Sequence, residues 1–358
     1  MINRLQTLMP ATKAEPPPSG ANASRPETIQ EFIGQRHLKA LIHTAGNSAR
    51  QRNAPFPHSL ITGAAGLGKT SIARLIATEM AVGFVPVTAE ALEDSAAVKG
   101  LLSRLDDSGY DGRGQATGKI KPSILFIDEA HRLPRQSQEL LYCCIEDRVI
   151  DARVRDPLSG LMKPVREWVP HFTLIAASNR PGDLTTSFRD RLRLNLRLEP
   201  YDEKDSAKIA RQALAKMALT CSPATAAMIA LRARGVPRRI VGLCEQVRDL
   251  AIAKGKTSAT PAICEKAFDA LGLDPSGLTR QDVELLRHLA QNVGQPLGLQ
   301  TLASLVGEDQ KALEESIEPY LIAKGLIART QRGRAITPTG LEHLREHHGF
   351  ENKGRGLA

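Results

Sequence analysis

The chain reads as a doubly wound parallel α/β domain followed by a small helical domain and a winged helix. Three observations predict this. A strand-like run, His58–Thr62, leads straight into a glycine-rich loop and then a helix from Thr70 to Met80. Apolar strand-like runs then alternate with helical stretches as far as Leu198, the pattern of a parallel sheet covered on both faces. After Tyr201 the pattern is helical, and two short strand-like runs return only around Arg332-Gly333.

Residues 1–24 are rich in Ala, Pro, Ser and Gly and are expected to be disordered. Order is expected from Arg25-Pro26, through a helix-like Glu27–Phe32 and a helix from His37 to Arg52. Further strands are expected at Phe84–Thr88, Ser123–Ile127, Phe172–Ala177 and Leu194–Leu198, with a helix over Ser95–Asp106. No strand is expected between Tyr201 and Leu271. A hinge-like Gly272-Leu273-Asp274-Pro275-Ser276-Gly277 follows. Helices over Thr279–Asn292, Leu299–Val306 and Gln310–Lys324, then strands Leu326–Thr330 and Arg334–Thr337, compose the winged helix. The domains are therefore 25–200, 201–273 and 274–347, with tails at 1–24 and 348–358.

The chain has 358 residues, enough for two or three domains with real cores. No run of eighteen apolar residues and no signal-peptide pattern occurs. Cys143, Cys144, Cys221, Cys244 and Cys264 lack zinc or CxxC spacing and read as buried free thiols of a cytoplasmic protein. The net charge of +9 favours a polyanionic partner. The excess is uneven: about +8 lies between Arg180 and Lys256, and about zero from Ser276 onward.

Gly63-Ala64-Ala65-Gly66-Leu67-Gly68-Lys69-Thr70 fits G-x-x-x-x-G-K-[ST]. Glycines at Gly63, Gly66 and Gly68 let backbone N–H groups turn inward on phosphate oxygens. The following helix, with Ser71 in its first turn, points its positive end at the same anion. Lys69 reaches the outer phosphates of ATP and the Thr70 hydroxyl holds Mg²⁺. The strand Ile124–Ile127 delivers Asp128 to the metal and Glu129 to the attacking water; alternatively the two acids cap a helix. Asn179 follows another strand and orients the lytic water, or simply forms a turn. Arg189-Asp190-Arg191 offers a transition-state arginine or a surface ion-pair cluster. Arg238, behind Pro237 at a helix start, is a further phosphate contact.

With these pieces placed, the chain resembles the AAA+ ATPases, and within them the RuvB family, the motor of Holliday-junction branch migration. The resemblance runs from about Arg25 to about Leu344. It is carried by Phe32-Ile33-Gly34-Gln35, Leu125-Phe126-Ile127-Asp128-Glu129-Ala130-His131-Arg132-Leu133, Leu141-Tyr142 and Arg189-Asp190-Arg191. Arg232–Arg238, Glu318-Pro319-Tyr320-Leu321 and Arg329-Thr330-Gln331-Arg332-Gly333-Arg334 complete it. It implies that Arg25 and Tyr201 border the adenine and that Glu146, Asp147 and Arg148 lie near the nucleotide. Arg191 matches the family's finger and Arg238 its second sensor. Arg329 and Arg334, with Arg332 beside them, match the DNA-gripping positions. The family implies a homo-hexameric ring around duplex or junction DNA. Departures are Ala64-Ala65 where the family has prolines, Asn179 for Thr, and Leu192-Arg193 for Phe-Gly. The Gly-rich stretch within 106–121 reads as a DNA-facing loop or as disorder. Residues 151–170 take the place of a hairpin that docks the RuvA partner; Leu158, Leu161 and Met162 offer an apolar anchor for a RuvA-like partner or for a different one. An ATP-gated DNA-binding switch, a loader without processive movement and a mobile-element origin stay open.

Overall fold

A computed structural model describes residues 25–102, 105, 123–155 and 161–350. The expectations placed on 1–24, on the Gly-rich stretch, on Leu158 and on 351–358 lie outside those residues. The chain divides into two compact units, 1–199 and 200–358.

The first unit opens with α1 (Arg36–Gln51), β1 (Ser59–Thr62), α2 (Lys69–Met80), β2 (Phe84–Thr88) and α3 (Ser95–Leu102). β3 (Ser123–Asp128), α4 (Arg135–Glu146), β4 (Val149–Arg155), β5 (Met162–Trp168), β6 (Phe172–Ser178), α5 (Thr186–Arg191) and β7 (Leu194–Arg197) follow. Five strands form one parallel sheet in the order β2-β3-β6-β1-β7. β6 is buried along its whole length, and Ser123–Ile127 of β3 is buried too, as a sheet covered on both faces requires. Leu125, Ile127, Leu174 and Ala176 pack with Leu141, Cys144 and Phe188 in its core. Because β6 lies between β3 and β1, three carboxyl ends stand side by side. Thr62 is level with Ser178, and Ile127 with Ala176. Ligands of such sheets bind at that edge, where the chain order switches direction. β4 and β5 pair antiparallel as a separate hairpin.

Glu27–Phe32, expected as a helix, is a run of turns and bends. Gly34 (φ 72) and Gln35 (φ 48) then take left-handed backbone, which sets the entry into α1.

The second unit begins with α6 (Glu203–Lys216), β8 (Thr220–Cys221), α7 (Pro223–Arg232), α8 (Pro237–Ala253), β9 (Ser258–Ala259) and α9 (Pro261–Ala270). Asp202, Ser222 and Thr260 cap α6, α7 and α9 by accepting from the backbone three residues on. The expectation of no strand here is corrected. β8 and β9 pair in parallel, two residues each, too short to leave a periodic signal. Leu214, Ile229, Ile240, Val247 and Phe268 fill this core.

A separate core holds the winged helix, around Leu285, Leu286, Leu302, Leu313, Leu321 and Leu344. It is built from α10 (Arg280–Gln291), α11 (Leu299–Val306), α12 (Gln310–Ala312), α13 (Glu318–Ala323), β10 (Ile327–Thr330), β11 (Gly333–Ile336) and α14 (Pro338–His348). Two expectations change. The helix over Gln310–Lys324 is interrupted by a wide π turn, Leu313–Ile317, which ends two residues before Pro319. Proline has no N–H to continue the regular ladder. α14 was not expected. Thr337 caps it and Pro338 starts it, and Phe350 packs on the core, so 348–350 is no loose tail. No helix among the described residues is long and apolar enough to cross a membrane. Cys144, Cys244 and Cys264 are buried free thiols, whereas Cys143 and Cys221 are only half-buried. Burial pushes Cys144 up to about 12 and Cys264 up to about 11.

Candidate nucleotide and DNA sites

Gly63, Gly66 and Gly68 all take positive φ, at 144°, 79° and 104°. A Cβ on Gly63 would stand 2.8 Å from the Leu198 carbonyl, so that position needs glycine for space as well as for conformation. Gly68 caps α2 with no side chain of its own, and the helix's first turn carries no acid. Its positive end therefore faces the loop, ready for an anion. Lys69 is buried, and its Nζ donates to the carbonyls of Gly63 at 2.9 Å and Ala64 at 3.1 Å. Ser71 lies half-buried in the same turn. Phe32 lines the loop from the entry segment, 3.4 Å from where a Gly68 Cβ would be. Arg25 opens that segment and is exposed.

The loop and the acidic strand meet directly. Thr70 Oγ1 donates to Asp128 Oδ2 at 3.1 Å, while Asp128 Oδ1 accepts the Glu129 N–H at 3.0 Å. Glu129 holds φ 53, a left-handed conformation that costs a non-glycine residue about 1 kcal/mol. Its carboxylate is 42% exposed and lies 3.4 Å from His131 Nε2. His131 Nδ1 is 3.4 Å from Ser178 Oγ, so the imidazole spans from Glu129 to the end of β6. Burial lowers the His131 pKa, partly opposed by the neighbouring Glu129 carboxylate. Asn179 is next on β6's end. Its Oδ1 is buried and has no hydrogen-bond partner among the described residues. Sequence reasoning missed His131 and Ser178 as parts of this edge; the strand order that joins them has no local signature.

Arg191, Glu146, Asp147 and Arg148 stand at the opposite edge. Leu194 is level with Ser59, the first residue of β1, and Phe172 with Ser123, the first of β3. Arg191, three residues before Leu194, therefore sits at the amino ends of the strands. Glu146 joins it: Arg191 Nη2 and Nε donate to Glu146 Oε2 at 2.9 and 3.1 Å. The guanidinium also lies 5.3 Å from the Tyr142 ring centroid. Arg148, at φ 55, hydrogen-bonds the ring of His171, the residue before β6, and Asp147 caps α4 between them. Four residues of strand, roughly 13 Å, separate this group from the phosphate loop. Within the first unit the expected nucleotide residues thus fall into two groups.

In the second unit Tyr201 and Arg238 come close together. The Tyr201 N–H donates to the Gly235 carbonyl at 2.9 Å, three residues before Arg238. A Cβ on Gly235 would come within 2.5 Å of the Tyr201 carbonyl. Arg238 is exposed in the first turn of α8.

On the wing, Arg329 stands opposite Arg334. Both are gripped from behind by Glu318, whose side chain is fully buried. Arg329 donates to it at 2.6 and 3.0 Å, and Arg334 at 3.2 Å through Nη2 and more closely through Nε. Glu314 flanks both at 3.6 and 3.7 Å. Arg334 is 14% exposed and Arg329 49%. Arg332, at the turn, is exposed. The carboxylate behind the pair was not anticipated, because only the fold brings α13 under the hairpin. On β5, Leu161 immediately before it, Val165 and Trp168 are exposed apolar side chains.

Three family descriptions cover nearly all of the chain. Residues 24–198 match the Holliday junction DNA helicase RuvB P-loop domain, 201–274 the RuvB AAA lid domain and 275–345 the RuvB C-terminal winged helix domain. The Holliday junction branch migration complex subunit RuvB 2 of Synechococcus sp. is 37% identical over 333 residues, covering 93% of this chain and 86% of that protein. The corresponding subunit of Methanoregula boonei is 35% identical over 337 residues, covering 93% and 96%. The solved Thermotoga maritima RuvB Holliday junction branch migration motor superposes with a TM-score of 0.75 at 31% identity, covering 90% of this chain and 98% of that one. With a P-loop domain, lid and winged helix in this order, the chain belongs to the RuvB family.

Proposed function

We propose that the protein is an ATP-dependent DNA motor that drives branch migration of Holliday junctions in recombination and repair, working as a homo-hexameric ring in the cytoplasm. The observation that carries this is the Thr70–Asp128 contact, which joins the phosphate loop to the acidic strand. Thr70 Oγ1 and Asp128 Oδ2 form an oxygen-only donor pair, and Asp128 Oδ1 is already committed to backbone, so the residues fit Mg²⁺. When bound there, Mg²⁺ offsets charge on the phosphate oxygens.

Lys69 binds the outer phosphates. Glu129, steadied by His131, takes the proton of the attacking water, and Asn179 orients that water through the buried Oδ1. Arg25, Tyr201 and Arg238 complete the nucleotide contacts. Arg191, with Glu146, Asp147 and Arg148, serves the nucleotide of a neighbouring copy, because its own phosphate loop lies at the far edge of the sheet. Arg329, Arg332 and Arg334 hold DNA phosphates, which positions the duplex without reading its sequence. The exposed Leu161, Val165 and Trp168 support docking of a RuvA-like junction-binding partner on the β4–β5 hairpin, since such contacts need aromatic and apolar anchors.

The test is a three-strand branch-migration assay on long homologous arms, run beside ATP hydrolysis at low salt. The proposal expects junction DNA to stimulate hydrolysis and strands to exchange. Stimulated hydrolysis without exchange would leave an ATP-gated DNA-binding switch, and unstimulated hydrolysis would remove the motor reading.

A further inference from the structure

A cluster of ligand-type side chains in the second unit is made of residues with no expected nucleotide or DNA role. Asp274 belongs to the linker 272–277 that precedes the winged helix, and His343 and His348 belong to α14. Asp274 Oδ1 accepts the Leu278 N–H at 2.7 Å, which fixes the carboxylate and leaves Oδ2 for α14. His343 Nε2 lies 2.7 Å and His348 Nε2 3.1 Å from that one oxygen. The three ligand atoms all fall within 4.8 Å of one another. The side chains are 4%, 9% and 17% exposed in that order. His348 is held in place from both sides. It ends α14, Gly349 turns the chain at φ 57, and the Phe350 N–H returns to the Leu344 carbonyl.

Two imidazoles and one carboxylate aimed at a common point are the donor set of a four-coordinate zinc-type ion with one open position. Ligand atoms about 2.1 Å from such an ion stand about 3.4 Å from each other; the two imidazoles now at 2.7 and 3.1 Å from Asp274 Oδ2 would move apart by only a few tenths of an ångström to admit it. Nitrogen donors select against Mg²⁺ and Ca²⁺, which take oxygen. We propose that Asp274, His343 and His348 bind one divalent d-block cation of the zinc type. A cleft of about 740 Å³, lined by Asp274, His348, His347, His288 and Glu284, supplies the approach and a water as fourth ligand. Binding requires both Nε2 atoms to be deprotonated, so the ion replaces the two hydrogen bonds to Asp274. It would cross-link the linker to the last helix of the winged domain.

The test is isothermal titration of the full chain, without nucleotide and in excess Mg²⁺, with Zn²⁺ and separately with Co²⁺. One equivalent is expected, lost in His348→Ala and weakened at least tenfold in Asp274→Asn. It should be unchanged in His347→Ala, whose ring packs on His343 and whose Nε2 lies 3.8 Å from Glu346 Oε2. The Co²⁺ form should show the visible bands of a four-coordinate nitrogen and oxygen site with no thiolate charge-transfer band. Equal stoichiometry in wild type and His348→Ala, a thiolate band, or no uptake at micromolar metal would each overturn the assignment. Should His348→Ala misfold by circular dichroism, His343→Gln and Asp274→Asn decide the matter by the same readout.

Discussion

Arg191 donates two hydrogen bonds to one oxygen of Glu146, so two residues that the sequence assigned to different tasks act as a single group. Their side chains are 35% and 53% exposed, and such a pair contributes only about 0–1 kcal/mol to stability. The pairing therefore serves position more than folding. Arg191→Ala should lower ATP turnover by about 10³-fold or more, the usual contribution of a transition-state arginine. Its thermal midpoint should stay unchanged. Mixing it with Glu129→Gln subunits should restore part of the turnover, because each copy supplies the group the other lacks. Absence of rescue at every ratio would refute action in trans.

Lys69 and Glu129 occupy the same edge but should fail differently. Lys69 bridges the loop carbonyls of Gly63 and Ala64 and is buried, so Lys69→Ala should abolish binding of a fluorescent ATP analogue. Glu129 already tolerates φ 53, and Gln has the same backbone requirement and size. Glu129→Gln should therefore bind the analogue as wild type does and lose hydrolysis by at least about 10²-fold. Loss of binding in Glu129→Gln would assign its carboxylate to nucleotide affinity instead of the water.

The phosphate loop and the acidic strand were legible because each is a continuous string whose chemistry depends on spacing within it. Long buried strands such as β3 and β6 were legible for the same reason. What was not legible depends on strand order or on distant packing. Nothing local to Glu146 says that it pairs with Arg191, forty-five residues on. Nothing local to Glu318 says that it lies under a hairpin eleven and sixteen residues away. The pairing of Thr220–Cys221 with Ser258–Ala259 has two residues on each side, below the length at which alternation registers. α14 had a usable signal, Thr337-Pro338 ahead of an apolar-periodic run, which the sequence reading left unused.

The three wing arginines should separate by experiment. Arg332 is exposed, so Arg332→Ala should leave stability unchanged and reduce the salt dependence of DNA binding by roughly one phosphate contact. Arg334 is largely enclosed against the fully buried Glu318. Arg334→Ala should destabilise the winged helix by about 3 kcal/mol, because it strips one of two cations from a buried carboxylate. Urea unfolding and salt-dependent DNA affinity, measured on both variants, check the division. Equal stability in the two variants would make Arg334 a plain DNA contact.

His58 supplies a pH dependence that can be traced to one nitrogen. It stands directly before β1, and its Nδ1 accepts the Leu174 N–H at 2.9 Å, so the native ring must carry its proton on Nε2 or lose that bond. Burial, reinforced by Arg193, lowers its pKa from 6.5 to about 4. The folded pKa thus lies below the unfolded one, and between them the unfolded chain binds more protons. Stability from this group is present above about pH 6.5 and is lost as the pH falls toward 4. The shift corresponds to at most about 3 kcal/mol. His58→Asn offers an Oδ1 to the Leu174 N–H but does not titrate. Between pH 7 and pH 4 the wild-type first unit should lose about 3 kcal/mol more than the variant in urea unfolding. Parallel losses in the two proteins would show that the ring is already free to protonate. Because β1 runs directly into the phosphate loop, the same acid range should weaken nucleotide binding in wild type more than in the variant.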